Sequence, residues 1–371
     1  MTETMKIAKG LEGVVVDTTA ISLVDGDNGI LSYRGHPIDT LVDRPFGDVA
    51  ALVIDGECSY RLAGELALEA DLSRRELALV LSLPRDTHPM HVLQGLTPLL
   101  DRTKAFADRG EAAQGFAVAA KMPALLASFL LGAAPPATDR MDPAGRFLHH
   151  IGAPDTDIAR RAYNTAQILQ IEHSFNASTF VARATASTLA PVENALSAAF
   201  GALHGVLHGG ADQAALETAD EVGSPEAAPA FVDACLAGKR KVMGMGHREY
   251  RVLDPRARHL KALAESLCAG TPHERTYRTL VAIEARFTER MAEQNKSLYA
   301  NLEFYKGVIY RALGLPGRFF TANFAMARVF GYLAHFIESR EENRIVRPKA
   351  AYVGPPVIDH REAGGFTPVS A

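Results

Sequence analysis

The chain has few cysteines and no excess of basic residues, and both scarcities exclude broad classes of protein. Its three cysteines, Cys58, Cys235 and Cys268, lie far apart among 371 residues and form no CxxC pair. This spacing argues against a zinc ribbon or a disulfide framework and favours a reducing compartment. Lysine and arginine total 39 against 43 acidic residues, a net charge of −4. No general basic field therefore favours a nucleic-acid partner.

Long apolar segments are also missing. The first six residues, MTETMK, lack the apolar core of a signal peptide. The most apolar stretch, residues 116–131, is interrupted by Lys121 and Pro123 and falls short of the roughly 20 residues that span a bilayer. We therefore predict a cytoplasmic protein without a membrane partner. The chain is long enough for a large core and for two domains.

Helical patterns dominate after residue 40, so the sequence predicts a mainly α fold. Amphipathic spacing predicts helices at residues 46–55 and 73–83, with Ser73 as the N-cap of the second. Near the N-terminus, the turn cluster at residues 25–29 lies between the apolar stretches Val14–Val16 and Ile30–Tyr33. This pattern predicts a small N-terminal β ribbon.

Two glycine-flanked histidines are the main candidates for chemistry. Gly209 and Gly210 follow His208, and Gly246 precedes His247. Glycine removes the side chains that would screen an imidazole, and glycines at the start of a helix expose N–H groups to an anion. Each histidine also has a simpler interpretation. His208 could be a structural residue whose ring is hydrogen-bonded to the backbone, and His247 could be a loop residue exposed to solvent.

A metal site is the weaker interpretation of these histidines. His204 and His208 are four residues apart, a spacing that suits ligation from one helical face. However, the sequence has no HExxH glutamate and no third ligand close by. We therefore predict that the protein binds no metal.

Further polar residues stand out by their surroundings. Arg251 and Arg256 follow His247 closely and suggest an anion site, although Arg256 could instead pair with a nearby acid. Arg328 lies in an apolar helix and needs a carboxylate from the protein or from a ligand. Glu303 is the only acid in an aromatic, apolar stretch, and His173 ends a helix; taken alone, both have ordinary structural interpretations.

Taken together, these residues resemble the citrate synthase family. Each motif is moderately specific, but their order and spacing along nearly the whole chain are highly specific. The motifs that carry the resemblance are Gly10–Val14, Tyr33–Ile38, His173–Thr179, Leu207–Ala211, Gly244–Arg248, Asp254–Arg256, Tyr310–Pro316 and Arg347–Lys349.

The resemblance implies a helical fold of two domains that close on substrate. The large domain would comprise residues 1–209 and 313–371, and the small, coenzyme A-binding domain would comprise residues 210–312. A homodimer is expected, with Arg347 reaching the site of the partner subunit. The family condenses an acyl-CoA with a 2-oxo dicarboxylate, normally acetyl-CoA with oxaloacetate, as in the tricarboxylic acid cycle. The thioester is a co-substrate, and no permanently bound cofactor or metal is expected.

The resemblance also assigns roles to individual residues. His208 would donate a hydrogen bond to the thioester oxygen, and His247 would polarise the ketone and protonate the new alkoxide. Phe324 would pack near the reacting carbons. The residues expected to bind the substrate carboxylates are His173, Arg256, Arg328 and Arg347, and those expected near coenzyme A are Arg248 and Arg251.

The main departure from the family is the base, because Glu303 stands where the family has aspartate. The two acids have similar reference pKa values, about 4.3 and 3.9, so the difference is one of reach rather than of basicity. Lys306 stands where a small residue is usual, and Ala300 where proline is usual. Lys306 is three residues from Glu303, and an ion pair between the two would weaken the carboxylate as a base.

Three functions remain open from the sequence. The first is an active citrate synthase that uses Glu303 as its base. The second is a 2-methylcitrate or alkylcitrate synthase that takes propionyl-CoA or a longer acyl-CoA. The third belongs to another class, a catalytically impaired protein that binds the same ligands without turnover.

Overall fold

A computed structural model of the chain describes residues 7–56, 64, 70–104, 107–139, 142–247 and 249–355. The chain forms two compact units. One unit contains residues 19–345, and the other contains the described parts of residues 1–18 and 346–371. Within the described residues, the regular structure consists of 14 α-helices, several short 3-10 helices and one three-stranded sheet. The predicted mainly α fold is therefore confirmed.

The α-helices are numbered in chain order. Their bounds are α1 Phe46–Asp55, α2 Arg74–Ser82, α3 Pro89–Leu96, α4 Ala113–Leu131, α5 Pro143–His150, α6 Asp157–Gln170, α7 Ala177–Ala186, α8 Val192–Leu203, α9 Ala211–Val222, α10 Ala228–Ala237, α11 Ala257–Cys268, α12 Glu274–Ala292, α13 Leu302–Ala312 and α14 Phe320–Glu341. The 3-10 helices are Lys9–Leu11, Ile38–Thr40, Thr97–Leu99, Ala107–Ala112, Pro225–Ala227 and Gly317–Phe319.

The N-terminal sheet is an antiparallel ribbon of β1 (Ser22–Asp25), β2 (Ile30–Tyr33) and β3 (His36–Pro37). Asp25 pairs with Ile30 across the predicted turn. The turn is tight because the Asp25 carboxylate accepts hydrogen bonds from the N–H groups of residues 27 and 28. The expectation that Val14–Val16 is the stretch flanking β2 across this turn was wrong. A short turn pairs the residues immediately beside it, so β1 takes that place.

Local capping signals define several helix ends. Ser73 caps α2 in a capping box with Glu76, as predicted. Helix α6 starts after Thr156, whose side chain accepts from the N–H of residue 159. It ends at Gln170, so the segment that carries His173 leaves the helix and turns toward the site.

Helix α14 is the central helix of residues 19–345. Every residue from Phe320 to Phe336 is buried, and the helix packs against α1, α4, α7 and α8. The segment Asp108–Leu131, which includes α4, is long and apolar enough to cross a membrane, but 89% of its most apolar window is buried inside the protein. This burial is typical of the core helix of a soluble protein.

Helices α9 to α13 pack mainly against one another. Helix α13 contacts α9, α11 and α12, and α10 contacts α12. Helices α11 and α13 also pack against α6, which brings the starts of α11 and α13 next to the segment that carries His173. The domain boundaries at residues 210 and 312 stay a prediction.

Candidate active site

His208 lies in the loop between α8 and α9, and Ser178 fixes its ring. The Ser178 hydroxyl is 2.7 Å from Nε2 of His208, and the Ser178 backbone N–H donates to the same nitrogen at 3.4 Å. Tyr332 donates to the Ser178 hydroxyl at 2.7 Å. Because Nε2 accepts a backbone N–H, the hydrogen of the neutral ring lies on Nδ1. The ring therefore has an Nδ1–H donor for a ligand.

The environment of His208 keeps its ring uncharged. Its pKa is lowered to about 4, mainly by burial and also by the charge of Arg328, whereas the charge of Glu303 acts in the opposite direction. At neutral pH His208 is thus a neutral donor rather than an imidazolium.

Gly209 is required by close packing beside His208. A Cβ at this position would lie 2.3 Å from the carbonyl oxygen of Leu203 and 2.6 Å from Cγ2 of Thr321. The Thr321 hydroxyl also donates to the Gly209 carbonyl at 2.8 Å. These contacts hold the loop against the first turn of α14 and fix the position of His208.

His247 is held by its own loop. The backbone N–H groups of Glu249 and Tyr250 donate to Nδ1 at 3.0 and 3.1 Å, so the hydrogen of the neutral ring lies on Nε2. Nη2 of Arg256 is 3.3 Å from that Nε2. Nη2 gives one N–H to Asp254, and its other N–H lies beside the Nε2–H of His247, an arrangement of two donors that can bind an oxygen atom. Burial lowers the pKa of His247, and the charge of Arg256 adds to this.

Arg256 is buried and forms a two-point ion pair with Asp254. Its Nε and Nη2 atoms lie 2.9 Å from the two carboxylate oxygens. Burial would raise the pKa of Asp254, but the charge and hydrogen bonds of Arg256 lower it below the usual value. Asp254 also accepts from the N–H of Leu302 at 3.1 Å. This carboxylate therefore joins Arg256 to the start of the helix that carries Glu303.

His173 lies beside His247, with ring centres 5.6 Å apart. Its Nε2 is 3.1 Å from the hydroxyl of Tyr250. Burial lowers the pKa of His173 well below its usual value, and the charges of Arg256, His247 and Arg328 act in the same direction. His173 is therefore neutral at pH 7 and surrounded by cations, an environment that suits an anionic ligand.

Glu303 lies in the first turn of α13 and is half-buried. Asn301 caps this helix by accepting from the N–H of Glu303 at 3.1 Å, and it donates to the carbonyl of Gly246 at 3.2 Å. The cap thus joins the base candidate to the His247 loop. The negative charge of Glu303 acts on the pKa values of His208, His247 and Arg256. The carboxylate therefore lies within electrostatic range of all three groups.

Lys306 does not pair with Glu303, so that possibility from the sequence is not realised. Its ammonium lies 3.3 Å from Oδ2 of Asp212 and 3.2 Å from Oε1 of Gln170. Among the described residues, Lys306 therefore leaves the charge of Glu303 without a lysine partner.

Arg328 is buried on α14, and its Nε donates to the carbonyl of Gln170 at 2.6 Å. Its guanidinium lies 4.8 Å from the ring centre of Phe324. Within the described residues no carboxylate forms an ion pair with Arg328. The charge of the buried Glu172 acts on Arg328 without an ion pair between them.

The structure brings together seven of the ten predicted site residues. The residues brought together are His173, His208, His247, Arg256, Glu303 and Arg328, with Phe324 against Arg328. Arg251 is exposed and pairs with Asp27 at 3.0 Å. Arg347 lies in the unit formed by the chain ends, is exposed and donates to the Pro348 carbonyl at 2.8 Å. Arg248 lies outside the described residues.

Sequence reasoning missed the residues that orient the site. Ser178, Tyr250 and Asp254 contact His208, His173 and Arg256, but none was selected as a site residue. Asp254 had a usable signal, since it is two residues from Arg256. Ser178 had none, because 30 residues separate it from His208.

His204 takes no part in the site. Its ring stacks on that of His88, with centres 4.3 Å apart, and contacts that of His91 at 4.8 Å. Within the part of the chain that the structure describes, no group of three or more His, Cys, Asp or Glu side chains is arranged to hold a metal ion.

Comparison with known proteins gives a consistent family assignment. Residues 10–349 match the family model described as "Citrate synthase, C-terminal domain". Citrate synthase from Synechocystis is 37% identical over 369 residues, covering 95% of this chain and 92% of the relative. A 2-methylcitrate synthase from Mycobacterium tuberculosis is 36% identical, covering 94% and 91%.

A solved structure shares the fold. Citrate synthase from Thermoplasma acidophilum, in a ternary complex with carboxymethyl coenzyme A and oxaloacetate, superposes with a TM-score of 0.86. It is 28% identical, and the match covers 99% of each chain.

Proposed function

Because this chain belongs to the citrate synthase family and is a condensing acyltransferase, we propose that it joins an acyl-CoA to oxaloacetate. The observation that carries the proposal is the position of Glu303. It is a half-buried carboxylate whose charge acts on two neutral histidines and a buried arginine. Such a group can accept a proton from carbon while neighbouring donors stabilise the negative charge that develops.

The first step forms the enolate. Glu303 removes a proton from the methyl carbon of the thioester, and the electron pair of that C–H bond moves toward the thioester oxygen. His208 donates its Nδ1–H to this oxygen. A neutral imidazole suits the task, and the low pKa of His208, about 4, keeps it neutral.

The second step forms the carbon–carbon bond. The enolate attacks the ketone carbon of oxaloacetate, whose oxygen lies between Nε2 of His247 and Nη2 of Arg256. As the C=O bond opens, the Nε2–H proton of His247 passes to the alkoxide, and the proton that Glu303 took from carbon is returned to the ring. Water then hydrolyses the thioester and releases the citrate-type product and coenzyme A.

The substrate carboxylates are held by fixed groups. Arg328 and Arg256 bind them as buried cations, with His173 beside them, and Arg347 of the partner subunit completes the set. Asp254 engages the Nε–Nη2 edge of Arg256, which leaves the opposite edge of the guanidinium for an anion.

Coenzyme A binds to the small domain, residues 210–312. Arg248 and Arg251 contact its phosphates. The exposed Arg251–Asp27 pair contributes at most about 1 kcal/mol, so a phosphate can displace Asp27. The enzyme acts in the cytoplasm as a homodimer and needs no metal and no permanently bound cofactor.

The acyl group distinguishes two forms of this function. Acetyl-CoA gives citrate, and propionyl-CoA gives 2-methylcitrate. Both forms have support, since the chain is 36% identical to a 2-methylcitrate synthase and 37% identical to a citrate synthase. One methylene in a pocket changes the free energy of binding by only about 1–3 kcal/mol, so rates must decide.

The test is the release of free thiol from acetyl-, propionyl- and butyryl-CoA with oxaloacetate. We expect oxaloacetate-dependent release, and the acyl group with the largest kcat/KM identifies the substrate. No release above background from any of the three at high enzyme concentration would refute the proposal.

The variant Glu303→Asp tests whether the chain is an enzyme or a protein that binds the same ligands without turnover. If the natural chain is an enzyme adapted to glutamate, the shortened base sits about 1 Å too far away and the rate falls by roughly a hundredfold. If the natural chain only binds its ligands, it is inert and the substitution creates activity. Oxaloacetate affinity, measured by calorimetry, checks that the variant still binds.

A further inference from the structure

A buried ion pair lies directly behind the proposed base. Lys306 follows Glu303 by three residues on α13 and is fully buried. Its ammonium contacts Oδ2 of Asp212 at 3.3 Å, and Asp212 is fully buried as well. Residues three apart on a helix are neighbours on its surface, so this pair adjoins Glu303.

The ammonium lies where four helices meet. Asp212 is in the first turn of α9, two residues after Gly210, and Gln170 is the last residue of α6. On α14, the ring centre of Phe324 is 4.4 Å from the ammonium. The carbonyl of Gln170 accepts from Arg328, so the same residue contacts both buried cations.

Packing fixes the two helices that carry the pair. A Cβ on Gly307 would lie 2.7 Å from the Asp212 carbonyl and 3.1 Å from Cβ of Leu216. Helices α9 and α13 thus meet at Gly307, the residue next to Lys306. Neither side chain of the pair can move to solvent without separating the helices.

Several elements supply titratable or charged groups around Glu303, in addition to Lys306 on its own helix and Arg328 on α14. The loops supply His208 and His247, the start of α11 supplies Arg256, and α9 supplies Asp212. Of the two buried acids near the start of α13, Asp254 is paired with Arg256 and Asp212 with Lys306. Burial raises the pKa of Asp212 and the charge of Glu303 raises it too, whereas Lys306 lowers it. Two carboxylates would therefore compete for one proton if Lys306 did not offset one of them.

We propose that Lys306 and Asp212 form a charge-compensating pair that sets the pH range in which Glu303 is ionised and able to act as the base. Lys306 is a positioning residue, since it acts through Asp212 and Glu303 rather than on the substrate. The proposal rests on the proposed function for its kinetic consequence, but the ionisation of Glu303 can be measured without turnover.

The experiment compares Lys306→Met, Asp212→Asn and the double variant in the full-length protein. The carboxyl carbon of Glu303 is followed by NMR after carbon-13 labelling of glutamate, and its signal is assigned by its loss in Glu303→Gln. In Lys306→Met, Asp212 is unpaired, and the titration midpoint of Glu303 should rise by about one pH unit. In Asp212→Asn it should fall by about as much, and in the double variant it should return to the native value.

Kinetics provide the second readout. The acid limb of the pH profile of kcat/KM should move in the same directions as the NMR midpoint, since this limb reports the base of the free enzyme. Absence of thiol release by the natural chain would refute the proposed function, while the NMR titrations would still decide on the pair.

Lys121→Met is the matched control. Lys121 forms a buried ion pair with Glu76 at 2.8 Å, and Glu76 otherwise contacts Ser73 and Asp101, outside the site. This variant should lose stability without moving the Glu303 midpoint. The proposal would be overturned if the Glu303 midpoint were the same in the natural chain, the three pair variants and the control. It would also be overturned if Lys121→Met shifted this midpoint as much as Lys306→Met does.

Discussion

The residues of the site are neutral imidazoles beside permanent cations. His173, His208 and His247 all have lowered pKa values, and burial is the main cause in each. Neutral rings avoid repulsion with Arg256 and Arg328 and leave defined N–H donors for substrate oxygens. The chemistry thus depends on the positions of hydrogens, which backbone donors set at His208 and His247.

His208 makes the protein sensitive to acid. In the unfolded chain its pKa is about 6.5, and in the folded chain about 4, so only the unfolded state takes up a proton between these values. Stability from this group is present above pH 6.5 and is lost as the pH falls toward 4, with a total of up to about 3 kcal/mol. His208→Gln should therefore flatten the fall in melting temperature between pH 6.5 and 4.

His36→Gln is the control for this measurement, because His36 lies at an exposed position on β3. It should leave the pH dependence of the melting temperature as it is in the natural chain. An equally steep acid loss in His208→Gln would contradict the assigned burial of the neutral ring.

Single residues show what the sequence can and cannot predict. Glycines beside His208 and His247 selected these rings because glycine at a functional turn leaves a local signal. The partner of Lys306 could not be predicted, because Asp212 is 94 residues away and the two meet only through the packing of α9 on α13. The sequence interpretation considered the near neighbour Glu303, whereas tertiary packing supplied a buried carboxylate.

The elements of the fold position the site mainly by where they end. Helix α6 stops at Gln170 and α7 starts at Ala177, and the connection between them carries His173. Ser22 of β1 fixes this connection by donating to Glu172 at 3.1 Å and accepting from the N–H of Ser174 at 3.0 Å. The helices could be predicted from amphipathic spacing and caps. The end of α7 could not be predicted from the sequence. Leu189, three residues beyond the helix, adopts a left-handed conformation with φ 64°, which leucine rarely takes.

Gly331 on α14 is the tightest contact behind the His173 segment. A Cβ there would lie 2.4 Å from the carbonyl of Ile171 and 2.5 Å from Oε2 of Glu172. Gly331→Ala must push this segment away, so we expect a loss of about 1–3 kcal/mol in stability and a higher KM for oxaloacetate. Urea unfolding and initial rates measure the two effects.

Gly95→Ala is the matched substitution. Gly95 lies in α3, and a Cβ at this position meets no atom within 4 Å. Alanine favours helix, so this variant should be neutral or more stable by up to about 1 kcal/mol. If Gly331→Ala behaved like Gly95→Ala, the tight packing of α14 on the His173 segment would be disproved.

At the scale of the whole molecule, the proposed function requires two chains. The family resemblance assigns Arg347 to the site of the partner subunit, and within its own unit this side chain is exposed, with the Pro348 carbonyl as acceptor. Cyclic dimers have two equivalent sites, so a residue exchanged between subunits can be tested by mixing variants.

Mixing Arg347→Ala with His247→Gln makes this test. Each variant alone should be nearly inactive. In a mixed dimer one site has both intact residues, so random reassembly should restore about a quarter of the natural activity. If Arg347 served the site of its own chain, mixing would restore nothing. Light scattering should show twice the mass of the single chain for both variants.

The central claim is that Glu303 reaches the carbon that loses its proton. A crystal structure with oxaloacetate and carboxymethyl coenzyme A tests it most directly. The account predicts a Glu303 carboxylate oxygen about 3 Å from the carboxymethyl group, with Nδ1 of His208 on the same group and Lys306 still on Asp212. A Glu303 side chain turned away from the ligand and paired with Lys306 would contradict it.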